Sequence, residues 1–270
     1  MSESQVIAQT QIPVTMASLT TGFLSLGVRK GMTVLLHSSL SQLGWVCGGA
    51  QAVVTALLDI VTPDGTLVVP THSAGFTDPS QWGAPPVPED WWPLIRETMP
   101  AFDPALTPTR KMGAIADVVR GHPSARRSNH PQVSFAAVGA ESDYITRDHE
   151  LAFGLGERSP LGRIYDLDGQ ILLLGVGFDR NTSLHLAEHR ASYPAKRNTR
   201  QGAPVVLDRQ RVWTEFEDIA LDTDDANQLG DDFDATGRVQ ICQIGNAIAR
   251  LMSQRAFVDF TTRWYEQHRR

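Results

Sequence analysis

The chain has 270 residues, 41% of them hydrophobic and 20% charged, and its 24 Lys and Arg against 30 Asp and Glu give a net charge of −6. This composition is ordinary for a soluble globular protein, and the negative balance argues against a nucleic acid as partner. The chain has no apolar run of about 18 residues that would predict a membrane span, and its two cysteines are too few for a disulfide scaffold. The first residues, MSESQVIAQTQIPVT, do not resemble a secretion signal. We therefore expect a cytoplasmic protein.

The first half of the chain alternates strand and helix patterns. Residues 32–39 and 66–73 are short apolar runs, and residues 50–61 between them carry apolar side chains at helical spacing. A strand, a helix and a strand joined by short links predict a βαβ unit with parallel strands, in a sheet covered by helices. Ligands of such sheets bind at the carboxyl ends of strands, where this chain carries HSS (37–39) and THS (71–73).

Residues 76–109 form a long segment rich in proline that holds three of the six tryptophans. Loops of this length are usually functional or disordered, and the aromatic content argues against disorder. We interpret the segment as an ordered lid or pocket wall; the alternative is a packed excursion that contacts no ligand. Because apolar strands are spread along most of the chain, we expect one domain over residues 1–270 with an insertion at about 76–109.

The second half predicts further strands and helices. A helix is expected from about residue 113 to residue 121, and buried strands are expected at 133–139 and 170–177. Residues 203–219 predict a β-hairpin with Asp-Arg-Gln at its turn. Residues 240–254 and 256–268 are interpreted as a final pair of amphipathic helices.

Three segments have the residue types that bind anions. The serine-rich turn after the first strand, with Ser38 and Ser39, can offer amides and hydroxyls, although it matches neither a P-loop nor a dinucleotide motif. Arg110 and Lys111 precede the helix predicted from residue 113, a placement that suits a pyrophosphate. In RSNHP (127–131), Ser128 and His130 lie just before a predicted strand. The alternative for the first segment is that its serines only form a turn, for the second that the basic pair is solvated, and for the third that the histidine is structural.

The segment NTSLHLAEH (181–189) follows the most apolar strand of the chain. His185 and Glu188 are spaced i and i+3, so on a helix they share a face, where the carboxylate can orient the imidazole as a general base. A zinc site would need H-E-x-x-H or three converging ligands, and His185 with His189 supplies only two, so we expect no metal. A purely structural role for His185 is the other alternative. Because there is no G-x-S-x-G nucleophile motif, direct attack by a substrate group is favoured over covalent catalysis.

Four segments together resemble the aminoglycoside 3-N-acetyltransferase family, from about residue 14 to 265. They are LLHSSLSQLGWVCGGAQAVVTALLDIVTPDGTLVVPTHS, TRKMGAIADVVRGHPSARRSNHPQVSFAAVG, SPLGRIYDLDGQILLLGVGFDRNTSLHLAE and IGNAIARLMSQRAFVDF. The most specific pieces are RSNHP and GVGFDRNTSLHLAE, in this order and at this separation. The resemblance implies a three-layer α/β/α fold, with a mostly parallel central sheet plus a β-hairpin, that is unrelated to the histone-acetyltransferase-like fold.

The resemblance also implies substrates and site residues. Acetyl-coenzyme A would be the donor, and the 3-amino group of a 2-deoxystreptamine aminoglycoside the acceptor. His185 would be the catalytic histidine and Glu188 its acidic partner, with Asp179 of the same motif supporting the imidazole. Coenzyme A contacts would fall on these residues: Ser38, Ser39, Leu40, Arg110, Met112, Gly113 and Ser128.

A mechanism and its alternatives follow from this resemblance. His185 would take a proton from the aminoglycoside, the free amine would attack the thioester, and the oxyanion would rest near residues 38–40. A cationic small molecule needs carboxylates, and Asp78 and Asp103 in the Trp-rich segment are the candidates. The alternatives are an acetyl-coenzyme A-dependent transferase for another small amine and a non-catalytic coenzyme A-binding protein. The sequence allows a homodimer, but no residue points to one.

Overall fold

The computed structural model describes residues 2–270 and consists of one seven-stranded sheet, a separate two-stranded hairpin and flanking helices. The strands are β1 (Thr33–Ser38), β2 (Thr66–Pro70), β3 (Arg126–Arg127), β4 (Phe135–Gly139), β5 (Gln170–Leu174), β6 (Asn198–Leu207), β7 (Gln210–Ile219), β8 (Gln240–Ile244) and β9 (Ala247–Ser253). The helices are α1 (Glu3–Ala8), α2 (Met16–Leu26), α3 (Gly49–Val61), α4 (Trp92–Thr98), α5 (Ala114–Arg120), α6 (Ser142–Thr146), α7 (Pro160–Asp166), α8 (Ser183–Arg190), α9 (Ala226–Asp234) and α10 (Gln254–His268).

The large sheet has the strand order β3-β4-β2-β1-β5-β9-β8. At its centre β1 pairs in parallel with both β2 and β5, as the βαβ pattern predicts. Each outer pair is antiparallel, so that five strands point one way and β4 and β9 point the other. The predicted α/β class, with a central sheet and an additional hairpin, is confirmed. The carboxyl ends of β1, β2 and β5 therefore meet at one edge of the sheet.

Helices cover both faces of this sheet because its strands are apolar on both sides. In β1, Val34 and Leu36 enter one buried core with α2, α3 and α5, whereas Leu35 enters a second core with α7, α8, α9 and α10. Successive side chains of a strand point to opposite faces, so one strand contributes to both cores. The result is the three-layer α/β/α arrangement that the resemblance implies.

The hairpin of β6 and β7 confirms the prediction for residues 203–219, although each strand is longer than expected. Its two-residue turn is formed by Asp208 and Arg209, whose φ angles of 50° and 65° are those of a turn that matches the twist of two paired strands. This hairpin is a sheet of its own.

The prediction of a helix over residues 240–254 is wrong. These residues form β8 and β9, and β9 pairs with β5 at the centre of the sheet. The signal was present, because Gly245-Asn246 between two apolar runs is typical of a hairpin turn, and Gly245 has a φ of 58°. The apolar spacing in this segment fits both a helix and a strand, and pairing with β5 decides in favour of the strand.

Residues 76–109 pack against the body of the protein through specific contacts. Arg127 donates from Nη1 to the carbonyls of Pro104 and Thr107 and from Nη2 to the carbonyl of Thr71 at the end of β2. Phe102 is buried, and its amide donates to the carbonyl of Pro204 in β6. The segment is thus tied to the sheet edge where β2 ends. That this segment acts as a lid remains a prediction, and so does the single domain over residues 1–270.

Candidate active site

A cavity of about 410 Å³ opens at the edge of the sheet where β1, β2 and β5 end. Residues that follow each of the three strands form its wall, as the topology predicts. Besides residues of the strands, Ser38 among them, the wall includes Ser39, His72, Lys111, Met112, Gly175, Asp179 and Thr182.

A second cavity of about 340 Å³ adjoins the first and shares Ser38, Ser39, Lys111 and Met112 with it. Leu40 and Gly113 also line it, so the structure brings five of the seven predicted coenzyme A residues together. Lys111 belongs to both walls and holds a left-handed backbone with a φ of 61°, which is uncommon for a residue with a side chain. Its ammonium group adds a cation to a wall of serine hydroxyls.

The other two predicted coenzyme A residues lie outside these walls. Arg110 is exposed, and its backbone amide donates to the carbonyl of His72. Ser128 is fully buried, where its hydroxyl accepts from the amide of Phe135 and bonds to Nδ1 of His149 at 2.9 Å. Because both hydrogen-bonding functions of Ser128 are used inside the protein, this geometry does not support a contact with coenzyme A.

His185 and Glu188 form the pair that their spacing on α8 predicts. The Nδ1–H of His185 donates to Oε2 of Glu188 at 2.5 Å, and the Glu188 side chain is completely buried. A carboxylate can only accept, so this bond places the proton on Nδ1 and leaves the Nε2 lone pair free. His185 has 14% of its side chain exposed, and Thr182, one turn earlier, forms part of the cavity wall.

Two further histidines lie at this edge, and neither is among the residues predicted for the site. His37 is the penultimate residue of β1, and its Nε2 lies 3.3 Å from the hydroxyl of Thr182. His72 follows β2, and its buried Nε2 has no hydrogen-bond partner within residues 2–270. Burial, and then the nearby His185, lower the pKa of each imidazole to about 3. Both rings are therefore neutral at physiological pH. Their positions in HSS and THS, at the ends of parallel strands, were the available signal.

Asp179 lies in the cavity wall, but its contact differs from the expected one. Its carboxylate forms an ion pair with Nε of Arg180 at 3.0 Å, and the His185 imidazole donates its hydrogen bond to Glu188 instead. Support of His185 by Asp179 stays a prediction.

The two acidic candidates in residues 76–109 have partners within the protein. Asp78 accepts from Nε and Nη2 of Arg96 at 2.9 and 2.8 Å. Burial raises the pKa of Asp78, but the hydrogen bonds from Arg96 and Ser80 outweigh it and lower that pKa overall. Asp103 accepts from the amides of Ala105 and Leu106 and shapes a local turn. Acceptor binding by either residue stays a prediction.

His189 follows His185 by one turn on α8 but pairs with a different carboxylate. Its Nε2 lies 3.5 Å from Oδ1 of Asp218, and burial lowers its pKa to about 4. No group of three or more potential ligands that could hold a metal ion occurs within residues 2–270. No helix in that part of the chain is long and apolar enough to cross a membrane.

Comparison with known proteins gives consistent matches along the chain. The family model for aminoglycoside 3-N-acetyltransferase matches residues 35–266. The chain is 45% identical over 262 residues to the SPbeta prophage-derived aminoglycoside N(3')-acetyltransferase-like protein YokD of Bacillus subtilis, covering 97% of this chain and 96% of YokD. It is 34% identical to aminoglycoside N(3)-acetyltransferase VII of Streptomyces paromomycinus, covering 99% and 96% of the two chains.

A solved structure supports the same relationship. The fold is similar to that of AAC-IIIb in its binary complex with CoASH, with a TM-score of 0.85, 30% identity and coverage of 95% of this chain and 97% of the other. The similarity is thus to an acetyltransferase of this type and not to a histone-acetyltransferase-like fold, as the sequence analysis expects.

Proposed function

The chain belongs to the aminoglycoside 3-N-acetyltransferase family, and from that premise we propose that it transfers the acetyl group of acetyl-coenzyme A to the 3-amino group of 2-deoxystreptamine aminoglycosides. The observation that carries the chemistry is the His185–Glu188 pair, which leaves a free imidazole nitrogen on α8, one turn after Thr182 of the cavity wall. Acetylation removes one positive charge from a polycationic drug, and the biological consequence is antibiotic resistance.

The two adjoining cavities are the proposed site of acetyl-coenzyme A. Lys111 lines both cavities, and its ammonium group suits a phosphate of the donor. The similar AAC-IIIb was solved with CoASH, which supports the same cosubstrate here. The chemistry proposed needs no metal ion.

His185 is proposed as the general base. An aminoglycoside amine is largely protonated at neutral pH, so its nitrogen must lose a proton before it can attack. Nε2 of His185 accepts that proton, while Glu188 holds Nδ1 and stabilises the imidazolium that forms. Base catalysis of this kind supplies about 10²–10⁴-fold, and positioning of the two substrates supplies the rest.

The amine then attacks the thioester carbonyl, forming a C–N bond as the C–S bond breaks. Two protons leave the original ammonium group; one ends on the coenzyme A thiol and the other passes to solvent. The amide of Ser39 already donates to the carbonyl of Leu174, so we assign the oxyanion to the hydroxyls of Ser38 and Ser39 and to the amide of Leu40.

We place the reaction in the cytoplasm, because both cysteines are unpaired and the donor is an intracellular metabolite. The acceptor is a small cationic molecule, and Asp179, in the cavity wall, is proposed to attract its ammonium groups together with Asp78 and Asp103. Light scattering of the purified protein decides between a monomer and a homodimer.

The test is thiol release from acetyl-coenzyme A with gentamicin, apramycin and a neutral disaccharide as acceptors. We expect turnover with the aminoglycosides alone and a loss of about 10²–10⁴-fold in kcat for His185→Ala, with coenzyme A still bound. His122→Ala, at the end of α5, is the matched control and should keep wild-type kcat. Wild-type turnover by His185→Ala would rule out its assignment as the base, and no turnover on any aminoglycoside would rule out the substrate class.

A further inference from the structure

The buried carboxylate of Glu188 is held from both of its oxygens. Oε2 accepts from His185, while Oε1 accepts from Nη1 of Arg269 at 2.5 Å and from the amide of Asp222 at 3.0 Å. Arg269 follows α10 and lies 81 positions after Glu188 in the chain. The guanidinium therefore contacts the same carboxylate as the proposed base, but from the opposite side.

Arg269 is itself fixed in one position. Its Nε and Nη2 donate to the two carboxylate oxygens of Asp225 at 2.6 and 2.7 Å, and Nη2 also donates to the carbonyl of Asp222 at 2.9 Å. The guanidinium lies 3.7 Å from the ring centre of Tyr265, and only 9% of the Arg269 side chain is exposed. A planar guanidinium with this many partners has little freedom to rotate.

The contact has an electrostatic consequence for the catalytic pair. Glu188 is completely buried, and a buried carboxylate without a cationic partner is costly, so without Arg269 the side chain would turn away from its present position. That change would remove the acceptor that keeps the proton of His185 on Nδ1. Arg269 supplies the cation at Oε1 and leaves Oε2 to the imidazole.

We propose that Arg269 is a positioning residue for acetyl transfer, which holds the Glu188 carboxylate oriented towards His185 so that the imidazole keeps a free Nε2. This inference rests on the proposed function, because it assigns no separate activity. Arg269 lies beyond residues 35–266, which the family model matches, so that match does not assign it a role. The competing explanation is that Arg269 only fastens α10 to α8.

A double-mutant cycle separates these explanations. We would measure kcat and KM for acetyl-coenzyme A in Arg269→Gln and Arg269→Lys, each in the wild-type and the Glu188→Gln background. Arg263→Gln, an exposed arginine of α10, is the matched control. Outer partners of metal-bound histidines contribute about 10–100-fold, and we expect Arg269→Gln to lower kcat by that order with KM for acetyl-coenzyme A unchanged.

The effect of Arg269→Gln in the Glu188→Gln background decides between the two explanations. If Arg269 acts through Glu188, Arg269→Gln causes no further loss once Glu188 is glutamine, and Arg269→Lys recovers part of kcat because it keeps the charge. Wild-type kcat in Arg269→Gln would overturn the proposal, as would an equal loss in both backgrounds. Should Arg269→Gln fail to fold, Arg269→Lys carries the cycle, with a smaller loss that must likewise vanish in the Glu188→Gln background.

A spectroscopic measurement keeps this inference separate from the proposed function. The proton in the short Nδ1–Oε2 bond should give a far-downfield imidazole NMR resonance, assigned by its loss in His185→Ala. We expect this resonance to shift or disappear in Arg269→Gln, even if no aminoglycoside proves to be a substrate. An unchanged resonance in a folded Arg269→Gln variant would overturn the proposal, whereas absence of turnover in the wild type would refute only the proposed function.

Discussion

Replacing Glu188 by glutamine changes one buried atom of the catalytic pair and keeps the side-chain shape. Glu188 accepts three hydrogen bonds, from His185, Arg269 and the amide of Asp222. A glutamine has one accepting oxygen, which can stay with Arg269 and Asp222, and its amide nitrogen then faces His185. That nitrogen can only donate, so Nδ1 must become the acceptor and the proton must move to Nε2.

The expected loss of activity is large because this exchange puts His185 in the wrong tautomer. The corresponding Asp-to-Asn change in a serine protease triad lowers kcat by about 10⁴, and we expect a loss of that order here. Stability should change much less. One charged hydrogen bond is worth about 1.5–3 kcal/mol, and Asp225 still pairs with Arg269, so we expect the free energy of unfolding to fall by roughly that amount.

Thiol release at saturating substrate and urea unfolding measure the two effects separately. Glu266→Gln is the matched control: this exposed residue of α10 accepts one hydrogen bond, from the amide of Ser192, and should keep wild-type kcat. If Glu188→Gln keeps wild-type kcat, the carboxylate does not set the tautomer and the orientation argument is wrong. The orientation argument would also be wrong if Glu188→Gln lost activity only in proportion to the fraction of protein that is unfolded.

Three further outcomes are expected. Lys111→Met should raise KM for acetyl-coenzyme A by roughly tenfold with kcat unchanged, because one charge-assisted contact to a phosphate is lost. Saturation curves with acetyl-coenzyme A measure this change. The control is Lys30→Met, because the ammonium group of Lys30 pairs with Asp64 at the surface. Asp78→Asn should raise KM for gentamicin, because a carboxylate proposed to attract the ammonium groups of the acceptor is lost, and should lower the free energy of unfolding by about 1–3 kcal/mol, because Arg96 loses one of its two hydrogen bonds to this side chain. An unchanged KM would show that Asp78 does not contact the acceptor. Stability should fall as the pH is lowered from about 6.5 towards 4, because burial lowers the pKa of several imidazoles, so that the unfolded chain binds more protons than the folded one in this range. Each such imidazole lowers the free energy of unfolding by about 2 kcal/mol at pH 5 relative to pH 8. A free energy of unfolding, measured with urea, that is the same at both pH values would contradict the lowered pKa values. The imidazoles concerned are His37, His72, His130 and His189, and burial lowers the pKa of His149 in the same direction.

The agreement between sequence and structure is closest where the signal is local. The βαβ unit of β1, α3 and β2 follows from apolar periodicity, and the β6–β7 hairpin from its turn residues. The hydrogen bond between His185 and Glu188 follows from their i, i+3 spacing once the segment is a helix. The segment 240–254 shows the limit, since its apolar pattern fits a helix until pairing with β5 is known.

Spacing along the chain therefore determined the βαβ unit, the β6–β7 hairpin, the edge where β1 and β2 end and the pair on α8. The tertiary structure alone decided which distant groups meet there. It buried Ser128 against His149, set His37 and His72 beside His185, and brought Arg269 to Glu188 from 81 positions away. The physical reason is that periodicity and caps act within a few residues, whereas a buried charge takes its partner from whichever element packs against it, and packing depends on the whole fold.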